Sequence, residues 1–178
     1  GSVHFVQKDG KHYPVDYSRE VFEKILKDVF NGDMKAFLQA YMDEVRRMLD
    51  YEEIDVVGHI DLISKYNEDQ EFFSFDDPWY VQKMKELIDL GIEKGLIFEM
   101  NTGAISRGYR KSAYPHQILL EHMGANKAKV CINTDCHARA SLDLGIEDCL
   151  QRAKEAGIGT LWTFENGRWT EKDIAEFA

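Results

Sequence analysis

Ile54-Asp55-Val56-Val57-Gly58-His59-Ile60-Asp61-Leu62-Ile63 is a short apolar run rich in β-branched residues. Its length and composition read as a strand buried on both faces, as in a parallel sheet. Working outward from it, helical patterns lie on both sides. Upstream, Val21, Phe22, Ile25, Leu26, Val29 and Phe30 recur at helical spacing from Ser18 until Asn31-Gly32, and a second helix carries Met34, Phe37, Leu38, Tyr41, Met42, Val45, Met48 and Leu49 on one face. Downstream, the polar stretch from Lys65 to Asp76 reads as a loop. Asp77-Pro78 then opens a helix with Met84, Leu87, Ile88 and Ile92 inward and Gly95 at its end.

The same alternation continues. Leu96–Asn101 reads as a strand, Thr102–Ser112 as a loop, and Tyr114-Pro115-His116 as a helix start. Ala128–Asn133 reads as a strand, Asp143–Ala156 as a helix and Gly159–Phe164 as a last strand. Thr170-Glu171-Lys172-Asp173 resembles a capping box before a short terminal helix. Gly1–Val6 reads as the end of a strand, with Lys8-Asp9-Gly10-Lys11 as a turn. Alternating strands and helices predict parallel βαβ units in an α/β fold, with residues 1–178 as a single domain.

Composition narrows the function. Hydrophobic residues at 44% supply a buried core, and 22 basic against 32 acidic residues leave a net charge of −10. That balance argues against nucleic-acid binding and against docking on an anionic membrane, but not against a small anionic substrate. No apolar run reaches the ~18 residues of a membrane span, and Gly1–Asp9 lacks the pattern of a signal peptide. The cysteines Cys131, Cys136 and Cys149 match no disulfide scaffold, so a reducing, cytoplasmic setting is expected.

Chemistry in parallel α/β folds gathers at the carboxyl ends of strands. His4, His59 with Asp61, Glu99 with Asn101, and Asp135 with His137 fall at four such predicted ends. Residues two apart on an extended chain point the same way, so each His/Asp couple could aim both side chains at one spot. Imidazole and carboxylate are the donors that hold zinc, iron or manganese, although a histidine at a strand end is also often a hydrogen-bonded core residue. Of the others, His12 reads as solvated, His116 as a helix cap and His122 as a surface residue. The loop from Thr102 to Lys111 is basic. Its arginines suit either phosphate oxygens or neighbouring acids, and Arg139 could reach the same space.

Gly1-Ser2-Val3-His4-Phe5, Gly58-His59-Ile60-Asp61-Leu62-Ile63, Asn101-Thr102-Gly103 running to Tyr114-Pro115, and Thr134-Asp135-Cys136-His137 together resemble the PHP (polymerase and histidinol phosphatase) family. Their order is most similar to its histidinol-phosphate phosphatase branch. The resemblance implies a distorted (β/α)7 barrel with two or three divalent metal ions (Zn, Fe or Mn), hydrolysing L-histidinol phosphate to L-histidinol and phosphate in histidine biosynthesis. It implies metal ligation by His4, His59, Asp135 and His137, contact of Arg107 with the substrate phosphate, and, on a looser match, the same for Arg139. Asp61 would orient His59 or an attacking water. The family's opening His-x-His strand has no counterpart in this chain, which therefore reads as a domain lacking its N-terminal strands. Two alternatives stand beside this one: a PHP phosphoesterase for another small phosphate ester, and a non-catalytic fragment.

Overall fold

The computed structural model describes residues 1–177. It is a mixed α/β structure. Strands β1 (Phe5–Lys8) and β2 (Lys11–Pro14) form a hairpin closed by Asp9 and Gly10, both at positive φ. Helices α1 (Arg19–Asp28) and α2 (Met34–Leu49) follow, capped by Ser18 and Asp33, whose side chains accept from the backbone N–H of Val21 and Ala36. Then come β3 (Val56–Val57), α3 (Pro78–Glu93), β4 (Ile97–Asn101), a single turn α4 (Gly103–Ser106), α5 (Gln117–Ala125), β5 (Lys129–Asn133) and α6 (Ile146–Glu155). The chain ends in a hairpin of β6 (Thr160–Glu165) and β7 (Arg168–Asp173) and a 3-10 turn, Ile174–Phe177.

Strands β3, β4 and β5 form a parallel sheet with Val57 opposite Phe98, Glu99 opposite Cys131 and Asn101 opposite Asn133. Alternation along the strands gives the sheet two unlike faces. Phe98, Met100 and Val130 turn into the main core, which α2, α3 and α5 cover with Tyr41, Met84, Ile88 and Leu119. Ile97, Glu99, Asn101 and Cys131 turn to the other face, where Trp169 of β7 overhangs. Helix α5 packs tightly at Gly124, where an added Cβ would sit 1.9 Å from the carbonyl oxygen of Ala156, just past α6.

Several expectations change. The described strands form three separate sheets and do not close into a barrel. The run at residues 54–63 is extended for only two ladder residues. His59, at φ 27°, turns the chain, and a 3-10 turn at Leu62–Ser64 follows, with the Leu62 N–H donating to the His59 carbonyl at 2.9 Å. Gly1 lies alongside β3, its amino group donating to the Val56 carbonyl and its carbonyl accepting from the Gly58 N–H. His4 therefore precedes β1 and does not end a strand. Thr170–Asp173 belongs to β7, because Asn166-Gly167 at positive φ makes a tight turn that folds it back on β6; only its last residue caps, Asp173 Oδ1 accepting the Ala175 N–H at the start of the terminal 3-10 turn.

Candidate functional site

The carboxyl ends of β3, β4 and β5 border an open cleft of about 530 Å³. Its lining includes His4, His59, Glu99, Asn101, Asn133 and Asp135. The rings of His4 and His59 meet edge to face with centroids 5.0 Å apart. His59 is buried, and the loss of solvation pushes its pKa down against the pull of Glu99. Its Nδ1 has no hydrogen-bond partner among the described residues. His4 is half exposed, and its Nδ1 lies 3.0 Å from Asp16 Oδ2; that hydrogen bond raises the His4 pKa.

Glu99 organises the centre of the cleft. Its Oε2 accepts from the backbone N–H of His59 (3.0 Å) and from Asn101 Nδ2 (2.9 Å), and its Oε1 accepts from Asn133 Nδ2 (2.8 Å). One carboxylate thus ties together the ends of all three parallel strands. The sequence marks Glu99 only as a polar residue near a strand end, and its place opposite Cys131, within reach of the Asn133 side chain, becomes visible only in the sheet.

The paired motifs do not act as pairs. His59 and Asp135 both have positive φ (27° and 44°), so the residue two positions on is turned elsewhere. Asp61 is fully buried. Its Oδ2 accepts the His116 N–H at 2.9 Å, while its Oδ1 has no partner among the described residues. His137 is exposed and faces Arg107: its Nδ1 lies 2.9 Å from Arg107 Nη1 and 2.9 Å from the carbonyl oxygen of Asp135. Arg107 also donates to Asp135 Oδ2 at 3.2 Å. His4, His59 and Asp135 therefore share the cleft, whereas His137 joins it through Arg107. Arg139 sits in an exposed 3-10 turn, with no side-chain hydrogen bond among the described residues.

Two further basic residues matter. Lys65, read from sequence as part of a loop, is buried. Its ammonium donates to the Asp16 carbonyl (2.6 Å) and lies 4.4 Å from the centre of the Tyr109 ring, with no carboxylate in salt-bridge range among the described residues. Burial lowers its pKa, Asp16 opposes that, and Arg107 adds to it. Arg110 takes the other course open to the basic loop. It is buried against Tyr114, bonds Ser64 and faces Glu68, so it braces the fold. His116 caps α5 as expected, but His122 is mostly covered and pairs with Asp89.

No three His, Cys, Asp or Glu side chains among the described residues converge closely enough to hold a metal ion as they stand. In kind, however, the donors fit one: two imidazoles and a carboxylate line one open cleft, and a buried imidazole nitrogen is left unpaired. No helix among the described residues is long and apolar enough to cross a membrane.

No family model matches the chain. It is 30% identical over 168 residues to a protein of Schizosaccharomyces pombe named "Probable histidinol-phosphatase". That match covers 94% of this chain and 53% of the relative, so the chain spans about half the length of the curated relative it matches. Among solved structures it superposes on the "putative histidinol phosphatase hisK" of Listeria monocytogenes with a TM-score of 0.72 and 20% identity, over 83% of this chain and 56% of that one. The fold of the chain is thus shared with a substantial part of that structure, and its sequence is similar to that of a histidinol-phosphatase.

Proposed function

We propose that the cleft belongs to a metal-dependent phosphomonoesterase of the PHP type, acting on L-histidinol phosphate to release L-histidinol and phosphate. The observation that carries this reading is the meeting of His4 and His59, 5.0 Å apart, in a cleft that Asp135 also lines and Arg107 borders. The similarity to a histidinol-phosphatase supports the substrate, and the fold shared with a structure named as a putative histidinol phosphatase is consistent with it.

Phosphate monoester hydrolysis is among the slowest uncatalysed reactions, so most of the barrier must be removed by charge and placement. In this reading His4, His59 and Asp135 would hold a divalent cation of zinc, iron or manganese. When bound, such an ion offsets phosphate charge and acidifies water for attack. Arg107 presents a planar guanidinium, fixed by Asp135 and His137, to the phosphoryl oxygens. Lys65, with no carboxylate in salt-bridge range among the described residues, would bring a second cation beside the one on Arg107. A water oxygen bonds to phosphorus as it gives up a proton, the phosphorus–oxygen bond to the alcohol breaks, and the proton lost by the water balances the one that the departing alkoxide takes up.

The test is phosphate release from a panel of histidinol phosphate, a nucleoside monophosphate and a sugar phosphate, with manganese or zinc supplied. Preference for histidinol phosphate, lost in His59→Ala together with metal content and shown by Arg107→Ala as a raised KM, is the expected result. Turnover by His59→Ala equal to the unmodified chain would overturn the assignment.

A further inference from the structure

Asp16 carries no motif, yet it meets both His4 and Lys65. The β1–β2 hairpin runs one rung past its strands, where the Val15 N–H donates to the His4 carbonyl at 2.9 Å. Val15 and Val6 are fully buried beneath it, so the hairpin delivers His4 and Asp16 to the same end on a fixed base. There, Asp16 Oδ2 lies 3.0 Å from His4 Nδ1. The carbonyl oxygen of Asp16 accepts from Lys65 Nζ at 2.6 Å and from the Tyr66 hydroxyl at 2.9 Å. Its backbone is held by one set of contacts while its carboxylate holds another.

An ionised carboxylate only accepts hydrogen bonds, so the proton between the two side chains belongs to His4 Nδ1. A neutral imidazole then has its lone pair on Nε2, the nitrogen away from Asp16. We propose that Asp16 is the positioning residue of the cleft: it locks His4 in the Nδ1–H form with Nε2 free to bind, and anchors Lys65 through its carbonyl. The proposal rests on the reading of His4 as a metal ligand and adds the group that orients it. Removing such a partner typically weakens metal binding by about 10- to 100-fold.

The test labels the histidines of the full chain with 15N and records long-range proton–nitrogen correlations near pH ~8.5, where free imidazole is neutral. His4→Gln identifies the His4 signals. The unmodified chain should show His4 as the Nδ1–H tautomer. Asp16→Asn should keep that form, because its amide oxygen can still accept, and Asp16→Ala should lose it. Circular dichroism melting guards against unfolding, and calorimetric titration with manganese or zinc alone should show weakening about 10- to 100-fold in Asp16→Ala. His4 in the Nε2–H form, or a tautomer unchanged in a folded Asp16→Ala, would overturn the proposal whatever the metal result. Failure of the unmodified chain to bind either ion while His4 stays Nδ1–H would instead overturn the metal reading and leave the positioning intact.

Discussion

Gly103 opens α4 directly below the Arg107–Asp135 pair, and replacing it with alanine probes that pair without touching either partner. A Cβ built there meets Arg107 Nη2 and Asp135 Oδ2 at 2.8 Å each, and Asn101 Oδ1 at 3.0 Å. Contacts of this kind need roughly half an ångström more room. The Gly103 N–H already donates to Asn101 Oδ1 at 2.8 Å, so the glycine cannot simply back away without losing that bond. The two charged side chains must therefore part. Both are about one-third exposed, 32% for Arg107 and 38% for Asp135, so breaking their ion pair costs at most about 1 kcal/mol of stability. For a chain of this size that lowers the melting temperature by roughly 2–4 °C. Catalysis is far less tolerant of displacement, and a misplaced phosphate-binding group is expected to reduce kcat/KM about 10- to 100-fold, or ~1.4–2.7 kcal/mol of transition-state stabilisation. The assay is phosphate release from L-histidinol phosphate with manganese present, run beside a thermal melt. Gly159→Ala serves as the control, since its added Cβ meets nothing within 4 Å. Unchanged kcat/KM in Gly103→Ala would refute the role of the pair, and a melting drop above ~8 °C would show that the loop braces the fold instead.

Two other outcomes follow from the packing and from the half-buried His116. In Gly124→Ala the new Cβ would meet backbone, 1.9 Å from the Ala156 carbonyl oxygen, so α5 and the end of α6 must separate; a loss of about 3 kcal/mol is expected, read as a melting drop of roughly 6–12 °C, and a shift below ~2 °C would contradict it. Burial lowers the pKa of His116, whose Nδ1 caps α5 by accepting the Ile118 N–H, which requires that nitrogen to be unprotonated. Below the unfolded value of about 6.5 the unfolded chain binds the proton more readily, so this contribution is complete above ~6.5 and is lost as pH falls toward the lower folded value. His116→Asn keeps an acceptor and has no titrating ring; its denaturant-measured stability should decline less steeply than the unmodified chain's between pH ~5 and ~6.5, and equal slopes would refute the assignment.

The helices were legible because their signals are local. Ser18, the Asp77-Pro78 pair and the apolar spacing of Met84, Leu87 and Ile88 name their elements without help from the rest of the chain. The terminal hairpin was equally local, but Thr170-Glu171-Lys172-Asp173 satisfies a helix-cap pattern and so obscures the stronger turn signal of Asn166-Gly167 before it. The site divides along the same line. His4, His59 and Asp135 stand out because histidine and aspartate are unexpected where apolar runs end, and the structure brings these three to one cleft. Pairing His59 with Asp61, and Asp135 with His137, assumed an extended chain between them, and both first residues adopt positive φ instead. Glu99 shows in the sequence only as a polar residue at a strand end, and Lys65 and Asp16 give no local sign, since each acquires its role through contacts 34 or more positions away or across a hairpin: Glu99 with Asn133, Lys65 with Asp16, and Asp16 with His4. The two strained backbones explain both the failure and the site. An extended His59 would carry its ring along the strand pleat. Turned at φ 27°, it gives its N–H to Glu99 and its ring to His4, so the contacts that outweigh the strain are the same contacts that assemble the cleft.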